Sequence, residues 1–501
     1  MLRLIAQMPQ LTSSETREDR MLHDTGRIKL TLDPEASAIV FDPDLRRAVS
    51  GEVPFYAEID RAQAIMLERV GLIERGFIKK VIVELDRLQA EDFQSLAAVP
   101  SPRGSYLAYE DYLRSVIGKE ASNLHLGRSR NDINATVLKL KLRKPYQELV
   151  GELLELLQVL CGLARAHLAT TFPLHTHRQA ALPSTLAHHL VAFAEAFSRD
   201  LDALLAVHPL LNQSCLGAGA GGGTTLPILP ELTAKLLGFA SSPVNSIDSV
   251  ASRDLVLRLL AGSAVLGSNL SRVAETLLLW LGDAELASLP DELVGSSSAM
   301  PHKRNPFLLE LVQGKSGAVV GSLVAAITGM HSTPFTNCAA VGTEAARHVE
   351  AGIDNVTRSV RIMKLCFSRL TVDQDAARAM LDRSFVNAME LATLLTVTTG
   401  LDFRSAHNEV GRSVTTAIEH GTSSLVAIMP IGGISDPEVS LSPDVIAKTA
   451  RAGGGSAPET VTAALAELED DVQRSNSILR ELVAGWARAG KELQSAIDSL
   501  G

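Results

Sequence analysis

Residues 295–307, GSSSAMPHKRNPF, bring three consecutive serines, Lys303 and Asn305 into one short segment. An activated serine hydroxyl can accept a proton, and a nearby Lys and Asn can hold a carboxylate by charge and hydrogen bonding. These residue types favour a loop that closes over an anionic molecule and removes a proton from it. The alternative, from this segment alone, is a mobile surface loop with a solvated basic tip.

A second polar segment, residues 123–136 (NLHLGRSRNDINAT), opens a long helical pattern. Its arginines could bind a carboxylate through paired N–H donors, and an asparagine with the amides of a helix start could add hydrogen bonds. The candidates are Arg128, Ser129, Arg130 and Asn131. The alternative is a helix start capped by Asp132, with the arginines in solvent.

Two more loops have unusual compositions. Residues 175–183 (HTHRQAALP) contain a Thr-His pair that could orient a carboxylate or transfer a proton, although a single His is as often a structural residue. Residues 216–227 (LGAGAGGGTTLP) are rich in glycine, which lets backbone amides approach an anion; simple flexibility explains them equally well.

Long helices must position these loops. Apolar residues recur at helical spacing over five segments, and aromatic residues make up only 4% of the chain, so we predict an all-α fold with a central bundle. Pro145 is expected to kink the first of the long helices. The five segments are 135–170, 183–211, 253–281, 307–330 and 341–370; shorter helices are predicted at 58–70 and 77–88.

The length of 501 residues exceeds one ordinary core, and we predict three units. These are an N-terminal helical domain at 1–118, the central long-helix bundle at 119–370 and a C-terminal helical domain at 371–501. Glycine- and proline-rich loops interrupt the third unit, whereas repeats and low-complexity linkers are not evident in the sequence.

The first long helix has a consequence for the site. At 1.5 Å per residue it spans about 50 Å, so the loops at its two ends cannot share a pocket within one chain. If both loops are catalytic, the site must lie between subunits. The helices are apolar almost all round, which favours burial against other subunits.

Composition excludes several classes. The net charge of −10 argues against a nucleic-acid partner, but a few local Arg and Lys still permit a small anionic substrate. We expect no membrane partner, since we read no apolar run of about 18 residues and no signal peptide. Four scattered cysteines predict a reduced, cytoplasmic protein without a metal site.

The ordered blocks HLGRSRND, THRQ, LGAGAGGGTTLPI with NSIDSVASRD, and SSSAMPHKRNP resemble the fumarase/aspartase superfamily, and most closely argininosuccinate lyase. The likeness covers about residues 100–320 and resumes at GGGSAPE. It implies a three-domain fold and a homotetramer around a shared core of roughly 20 helices, with each site built from three chains. It also implies reversible elimination of fumarate, without a metal or organic cofactor.

The resemblance assigns roles by position. Ser297 corresponds to the base that removes the Cβ proton, with Ser296 or Ser298 as the alternatives if the register slips. His177 would protonate the leaving amine, with Glu310 as its orienting carboxylate. The residues implied to bind substrate are Ser129, Arg130, Asn131, Thr176, Gln179, Arg253, Met300, Lys303 and Asn305.

One segment departs from the family. Argininosuccinate lyases carry a Tyr, a Gln and a Lys after the signature helix that are implied to hold the arginine half of the substrate. Here these positions are Asn337, Gly342 and Ala345, within residues 334–348; Leu182 and Ser252 are two further departures. The residues implied to bind the fumarate half of the substrate are kept, whereas those implied to bind the amine half differ.

We therefore predict a carbon–nitrogen lyase that eliminates an amine other than arginine from an N-substituted L-aspartate. A site that lacks matched polar partners for the arginine group would discriminate poorly in its favour. The alternatives are a true argininosuccinate lyase of arginine biosynthesis with a divergent loop, and a catalytically silent structural relative.

Overall fold

The computed structural model describes residues 32–428 and 437–500. The N-terminal part is a set of short and medium helices packed around one apolar cluster, in which Ile59, Leu67, Leu85 and Tyr109 are fully buried. A proline at the first turn starts the second helix, where its missing N–H costs no hydrogen bond. The helices are α1 (Pro34–Val40), α2 (Val53–Arg69), α3 (Arg75–Ala90) and α4 (Ser105–Ile117), with 3-10 turns at Ala48–Ser50, Gln94–Leu96 and Lys119–His125.

The central part contains the predicted long helices. Helix α5 extends over 37 residues, begins at Arg130 and not at the predicted residue 135, and contains Pro145; the kink expected there stays a prediction. The elements are α5 (Arg130–Ala166), β1 (Thr171–Thr176), β2 (Gln179–Thr185), α6 (Leu186–Leu205), α7 (His208–Leu211), α8 (Pro230–Leu236), α9 (Ser246–Ala251), α10 (Asp254–Leu281), β3 (Ala287–Ser288), α11 (Phe307–Met330) and α12 (His348–Ser368), with a 3-10 turn at Asp291–Leu293 and a π-helix at Ala340–Ala345.

Predicted and observed helices agree closely for α10 and α11 and differ elsewhere. The helix predicted at 183–211 begins only at Leu186, because residues 183–185 pair in strand β2, and a turn at residues 206–207 divides it into α6 and α7. The segment predicted at 341–370 begins as a π-helix before α12. The loop that contains the Thr-His pair is in fact an antiparallel hairpin of β1 and β2, with an irregularity between Leu174 and His175.

One large apolar cluster holds the bundle together. It joins buried residues of α5, α6, α10, α11 and α12, such as Leu153, Leu190, Leu259 and Val360. Leucine and valine supply most of this cluster and aromatic residues few, as the composition predicts. The all-α fold class is confirmed.

The C-terminal part ends in a helix that the sequence did not lead us to expect. The elements are β4 (Thr371–Val372), α13 (Gln374–Arg383), α14 (Ala388–Thr399), α15 (Phe403–Glu419), α16 (Leu425–Ile428), α17 (Pro437–Ser440), α18 (Pro443–Thr449) and α19 (Pro458–Asp498). Helix α19 has 41 residues and returns along the molecule. Its Leu465 and Leu468 join the central cluster, and its Leu493 and Ile497 join the N-terminal one.

Helices α14 and α15 have a small apolar cluster of their own, built around Leu391, Ala406 and Val410.

The division of the chain into units at 118 and 370 stays a prediction. Part of the loop IMPIGGISDPE lies outside the described residues.

The sequence was expected to contain no apolar run long enough to cross a membrane. Among the described residues, however, one helix, α11, is long and apolar enough to do so. Core helices of folded proteins meet the same criterion, and Leu309, Val312 and Val319 on one side of α11 are fully buried in the central cluster. Other apolar side chains of α11 are exposed, including Val320, Val324 and Ile327.

Candidate active site

The start of α5 is built by a capping box. The Ser129 hydroxyl accepts the N–H of Asn131 at 3.3 Å, and Asp132 Oδ1 accepts the N–H of Ser129 at 2.9 Å. Ser129, and not Asp132, is therefore the N-cap, while Asp132 closes the box from the third helical position. This arrangement leaves Arg130 exposed at the first helical position.

Asp132 also ties the glycine-rich loop to α5. Its Oδ2 accepts the N–H of Gly217 at 3.1 Å and the N–H of Gly219 at 2.9 Å, and both glycines have positive φ. A side chain at Gly217 would meet Pro230 at 2.7 Å, so only glycine fits there. Burial raises the pKa of Asp132 to about 6, opposed by these backbone hydrogen bonds. The glycine-rich loop was predicted to bind an anion, and the anion that its amides contact here is the Asp132 carboxylate of the same chain.

The arginine before the cap is buried and does not face solvent. Arg128 pairs with Asp60 of α2 at 2.8 Å, and the two side chains are 1% and 3% exposed. The Tyr109 hydroxyl donates to the other Asp60 oxygen at 3.1 Å. One turn along α2, Gln63 donates to the Leu126 carbonyl at 2.9 Å. Helix α2 therefore fixes the loop from both sides of the Gly127 turn.

The divergent segment lies against this end of α5. Asn337 Nδ2 donates to Asn131 Oδ1 at 2.9 Å. A side-chain carbon at Gly342 would lie 3.4 Å from Asn337 Oδ1 and 3.6 Å from Arg253 Nη2. Arg253 caps α10 and is buried; its Nη1 donates to the carbonyls of Ser252 at 2.7 Å and Val250 at 3.1 Å, and burial lowers its pKa. Arg130, Asn131 and Arg253 thus share one end of the bundle with Asn337 and Gly342.

The hairpin turn carries Thr176, His177 and Gln179 at its tip. Thr176 pairs with Gln179, and the two residues between them have positive φ, 51° for His177 and 63° for Arg178. Arg178 Nη1 reaches Glu275 at 3.0 Å, and its Nη2 reaches Asp283 at 2.7 Å. These contacts fix the tip near the C-terminal end of α10 and leave His177 exposed.

The loop before α11 is closed at its base by a pair of backbone hydrogen bonds. Gly295 and Asn305 exchange N–H to carbonyl bonds of 2.8 Å in both directions. Inside the loop, Ser297 Oγ accepts the N–H of Met300 at 3.0 Å and that of Ala299 at 3.4 Å. Arg304 holds the loop by donating to the Leu289 carbonyl at 2.8 Å and pairing with Asp291.

The remaining predicted residues lie on this loop or just after it. Met300 and Lys303 are exposed, and Glu310 is exposed in the first turn of α11. Gln313, three residues beyond Glu310, donates to Glu275 at 2.9 Å. Because Glu275 also pairs with Arg178, the hairpin tip and the start of α11 occupy the same end of the bundle.

One chain therefore carries two groups of predicted residues. The first group lies towards one end of the bundle and consists of His177, Ser297, Lys303, Asn305 and Glu310. The second group lies towards the other end, near the C-terminal end of α11, and consists of Ser129, Arg130, Asn131 and Arg253. The 37 residues of α5 correspond to about 55 Å, and the 24 of α11 to about 36 Å.

Several residues of the site were not singled out in the sequence. Arg178, Asp60 and Gln63 act through long-range contacts that carry no local signal, although Arg178 lies inside the THRQ block. Arg304 was visible only as part of a basic tip. Among the described residues, no group of three or more His, Cys, Asp or Glu side chains is placed to hold a metal ion. The four cysteines are unpaired.

Comparisons with known proteins identify this helical bundle as that of a lyase. A family model described as Lyase matches residues 55–321, and one described as Argininosuccinate lyase C-terminal matches residues 385–430. The structure of EDDS lyase in complex with formate superposes with a TM-score of 0.82 at 27% identity, covering 98% of this chain and 96% of that one.

Curated relatives narrow the class. The argininosuccinate lyase of Methanothermobacter thermautotrophicus is 32% identical over 471 residues, which is 89% of this chain and 98% of that protein. The argininosuccinate lyase of Geobacillus sp. is 36% identical over 406 residues, 79% of this chain and 86% of that protein. The chain belongs to the argininosuccinate lyase family of the fumarase/aspartase superfamily. It is a carbon–nitrogen lyase that releases fumarate.

Proposed function

We propose that this lyase cleaves an N-substituted L-aspartate whose amine is not arginine. The observation that carries the proposal is the contact of Asn337 with Asn131 at 2.9 Å, which brings the divergent segment to the residues expected to hold the succinyl carboxylates. Gly342 lies beside Arg253 where a longer side chain could reach into the site. Two of the three substituted positions, Asn337 and Gly342, thus lie next to residues that are proposed to bind the substrate, which supports a changed amine half.

Ser297 is the proposed base. Two backbone N–H groups point at its Oγ, so fixed dipoles stabilise the alkoxide that remains once the hydroxyl proton has passed to solvent. The alkoxide takes the Cβ proton, and the electron pair moves into the neighbouring carboxylate. Lys303, Asn305 and Thr176, with Arg130 and Asn131 of another chain, hold the doubly charged carboxylate.

The second step breaks the C–N bond. The electrons of the intermediate form the double bond of fumarate, and the bonding pair leaves with the amine nitrogen, which takes a proton from His177. Glu310 lies at the same end of the bundle and is assigned the orientation of His177. Arg178, the residue after His177, contacts Glu275 and Asp283, so the hairpin tip lies close to the C-terminal end of α10.

The site is proposed to form between subunits of a homotetramer. The two groups of site residues lie towards opposite ends of one chain, so a complete set needs at least a second copy. The exposed apolar stripe of Val320, Val324 and Ile327 on α11 supplies a surface that another copy would cover. The proposed substrate is a small anion, and no nucleic acid, membrane, metal or cofactor takes part.

The test uses the reverse reaction, in which an amine adds to fumarate. The protein is incubated with fumarate and a panel of amines that includes arginine, and adducts heavier by the mass of fumaric acid are sought by mass spectrometry. Adducts with one or more amines, and none or little with arginine, support the proposal. A panel in which arginine is the preferred amine contradicts it.

True argininosuccinate lyase activity is the second candidate, favoured by relatives of that name at 32% and 36% identity. Fumarate release from argininosuccinate, followed by ultraviolet absorbance, separates the two. The double substitution Asn337→Tyr with Gly342→Gln, which restores two family residues, should raise argininosuccinate cleavage if the first proposal holds. No gain, together with high wild-type activity on argininosuccinate, favours the second.

A further inference from the structure

Of the four cysteines, Cys338 is the one whose side chain is not buried. It is partly exposed, whereas the other three are buried in the fold. Its neighbour in the chain, Asn337, donates to Asn131 Oδ1 at 2.9 Å. The thiol therefore lies at the end of the bundle that carries the proposed carboxylate-binding residues. The reaction proposed above gives it no role.

A buried guanidinium group lies near this thiol. Arg253 is 7% exposed, and its Nη1 donates to the carbonyls of Ser252 and Val250. Among the described residues, its Nε has no hydrogen-bond partner. Burial lowers the pKa of Arg253, and the charges of the ionised thiols of Cys215 and Cys338 act in the opposite direction. Arg253 thus keeps hydrogen-bonding capacity for an anion close to Cys338.

Gly342 leaves space between this guanidinium group and the segment that carries the thiol. The Gly342 N–H donates to the Cys338 carbonyl at 2.8 Å, which folds the two residues together. A side-chain carbon at Gly342 would lie 3.6 Å from Arg253 Nη2 and 3.4 Å from Asn337 Oδ1. Because glycine has no side chain, a small molecule could occupy that position beside Nη2.

Fumarate, the product of the lyase reaction, has the chemistry to use this arrangement. It has two carboxylates, either of which can pair with a guanidinium group, and an electron-poor double bond between them. Ionised cysteine is a strong nucleophile towards such bonds. We infer that Cys338 is a modification site for fumarate, which binds at Arg253 and adds covalently to the thiol.

The addition is balanced without an oxidant or a reductant. The Cys338 thiol loses its proton to solvent, and Sγ forms a bond to one alkene carbon. The π pair of the double bond moves to the other alkene carbon, which takes a proton from water. The resulting thioether places two carboxylates beside Asn131 and Asn337 and should block the site. The inference requires fumarate as the product and is independent of which amine leaves.

The experiment follows the adduct by mass. Reduced wild-type protein is incubated with fumarate at about pH 8, and mass spectrometry of the intact chain and of its peptides follows the reaction. We expect one addition of the mass of fumaric acid per chain, on the peptide that contains Cys338. The rate should saturate with fumarate and exceed that of glutathione at least about tenfold, because Arg253 holds the reagent close to the thiol.

Succinate is the matched ligand control, since it has the same two carboxylates and no double bond. It should slow the modification by competition. Calorimetry should detect succinate binding to the untreated protein and none to the fully modified protein. These measurements use the wild-type chain, so they do not depend on the folding of a variant.

Four variants separate the thiol from the rest of the site. Cys338→Ser should form no adduct, whereas Cys161→Ala, which removes a buried thiol of the central cluster, should react like the wild type. Ser297→Ala should also form the adduct, because the addition does not use the proposed base. Gly342→Gln should slow it, since the new side chain fills the space beside Arg253 Nη2.

Three results would overturn the inference and leave the lyase proposal standing. These are the absence of an adduct, an adduct that persists in Cys338→Ser, and a rate that neither saturates nor responds to succinate. Unchanged succinate binding by the fully modified protein would show that the thiol lies outside the carboxylate site. The amine proposal is decided separately, by the panel of amines.

Discussion

Arg128 and Asp60 form an ion pair of 2.8 Å in which both side chains are almost completely buried. The pair joins α2 to the turn that precedes α5, next to the cap that presents Arg130 and Asn131. Tyr109 completes it by donating to the second Asp60 oxygen at 3.1 Å. The end of the bundle that is proposed to bind the substrate carboxylates therefore depends on a charge inside the N-terminal cluster.

Asp60→Asn should destabilise the protein by about 3–5 kcal/mol, because it leaves the Arg128 charge buried without a counter-charge. Urea unfolding followed by circular dichroism measures the change. Asp354→Asn is the control, since Asp354 pairs with Arg358 at the same 2.8 Å but both are more than half exposed. That substitution should cost less than about 1 kcal/mol. Equal losses from the two substitutions would show that burial of the Asp60 pair has no special energetic role.

Asp132 should make stability depend on pH. Its pKa is about 6 in the folded protein against a usual 3.8, so the fold favours the protonated form. The contribution of Asp132 is therefore greatest below about pH 4 and falls as pH rises through 6, by about 3 kcal/mol in total. The difference in unfolding free energy between wild type and Asp132→Asn, measured from pH 4 to 7, isolates this group. A difference that does not change with pH contradicts the assignment.

Ser297→Ala should lower fumarate release by about 10³-fold or more, since proton abstraction loses its base. Ser296→Ala and Ser298→Ala should stay within about tenfold, because the amides of Ala299 and Met300 point at Ser297 Oγ. Ultraviolet absorbance of fumarate gives the rates. If Ser296→Ala or Ser298→Ala is the silent variant instead, the base belongs to that residue.

Mixed assemblies should recover activity that neither parent has. Asn131→Ala and Ser297→Ala damage groups towards opposite ends of one chain, so a site formed by two copies can escape both lesions. Random mixing in equal amounts leaves about a quarter of the sites intact. The two variants are unfolded together, refolded and assayed, with wild type refolded alone as the control. Inactive mixtures beside an active control would place Asn131 and Ser297 of the same chain in one site.

The sequence by itself determined the class of fold and the local chemistry. Apolar spacing at helical period predicted α10 and α11 almost to the residue, since one buried stripe per turn is a local pattern. The same pattern did not predict the β1–β2 hairpin, whose strands pair across a turn with positive φ at His177 and Arg178. Helix α19 was not predicted as a single long element, and its Leu465 and Leu493 pack against two different apolar clusters.

Only the tertiary structure decided which polar residues belong together. Asp60 and Arg128 are 68 positions apart, and Asp132 and Gly219 are 87 apart, yet each pair is in contact. Such contacts depend on how α2 and the glycine-rich loop pack against α5, and no local spacing records that packing. The residue types indicated which chemistry each segment could support. The position of each segment at one or the other end of the bundle follows from the length and packing of the helices.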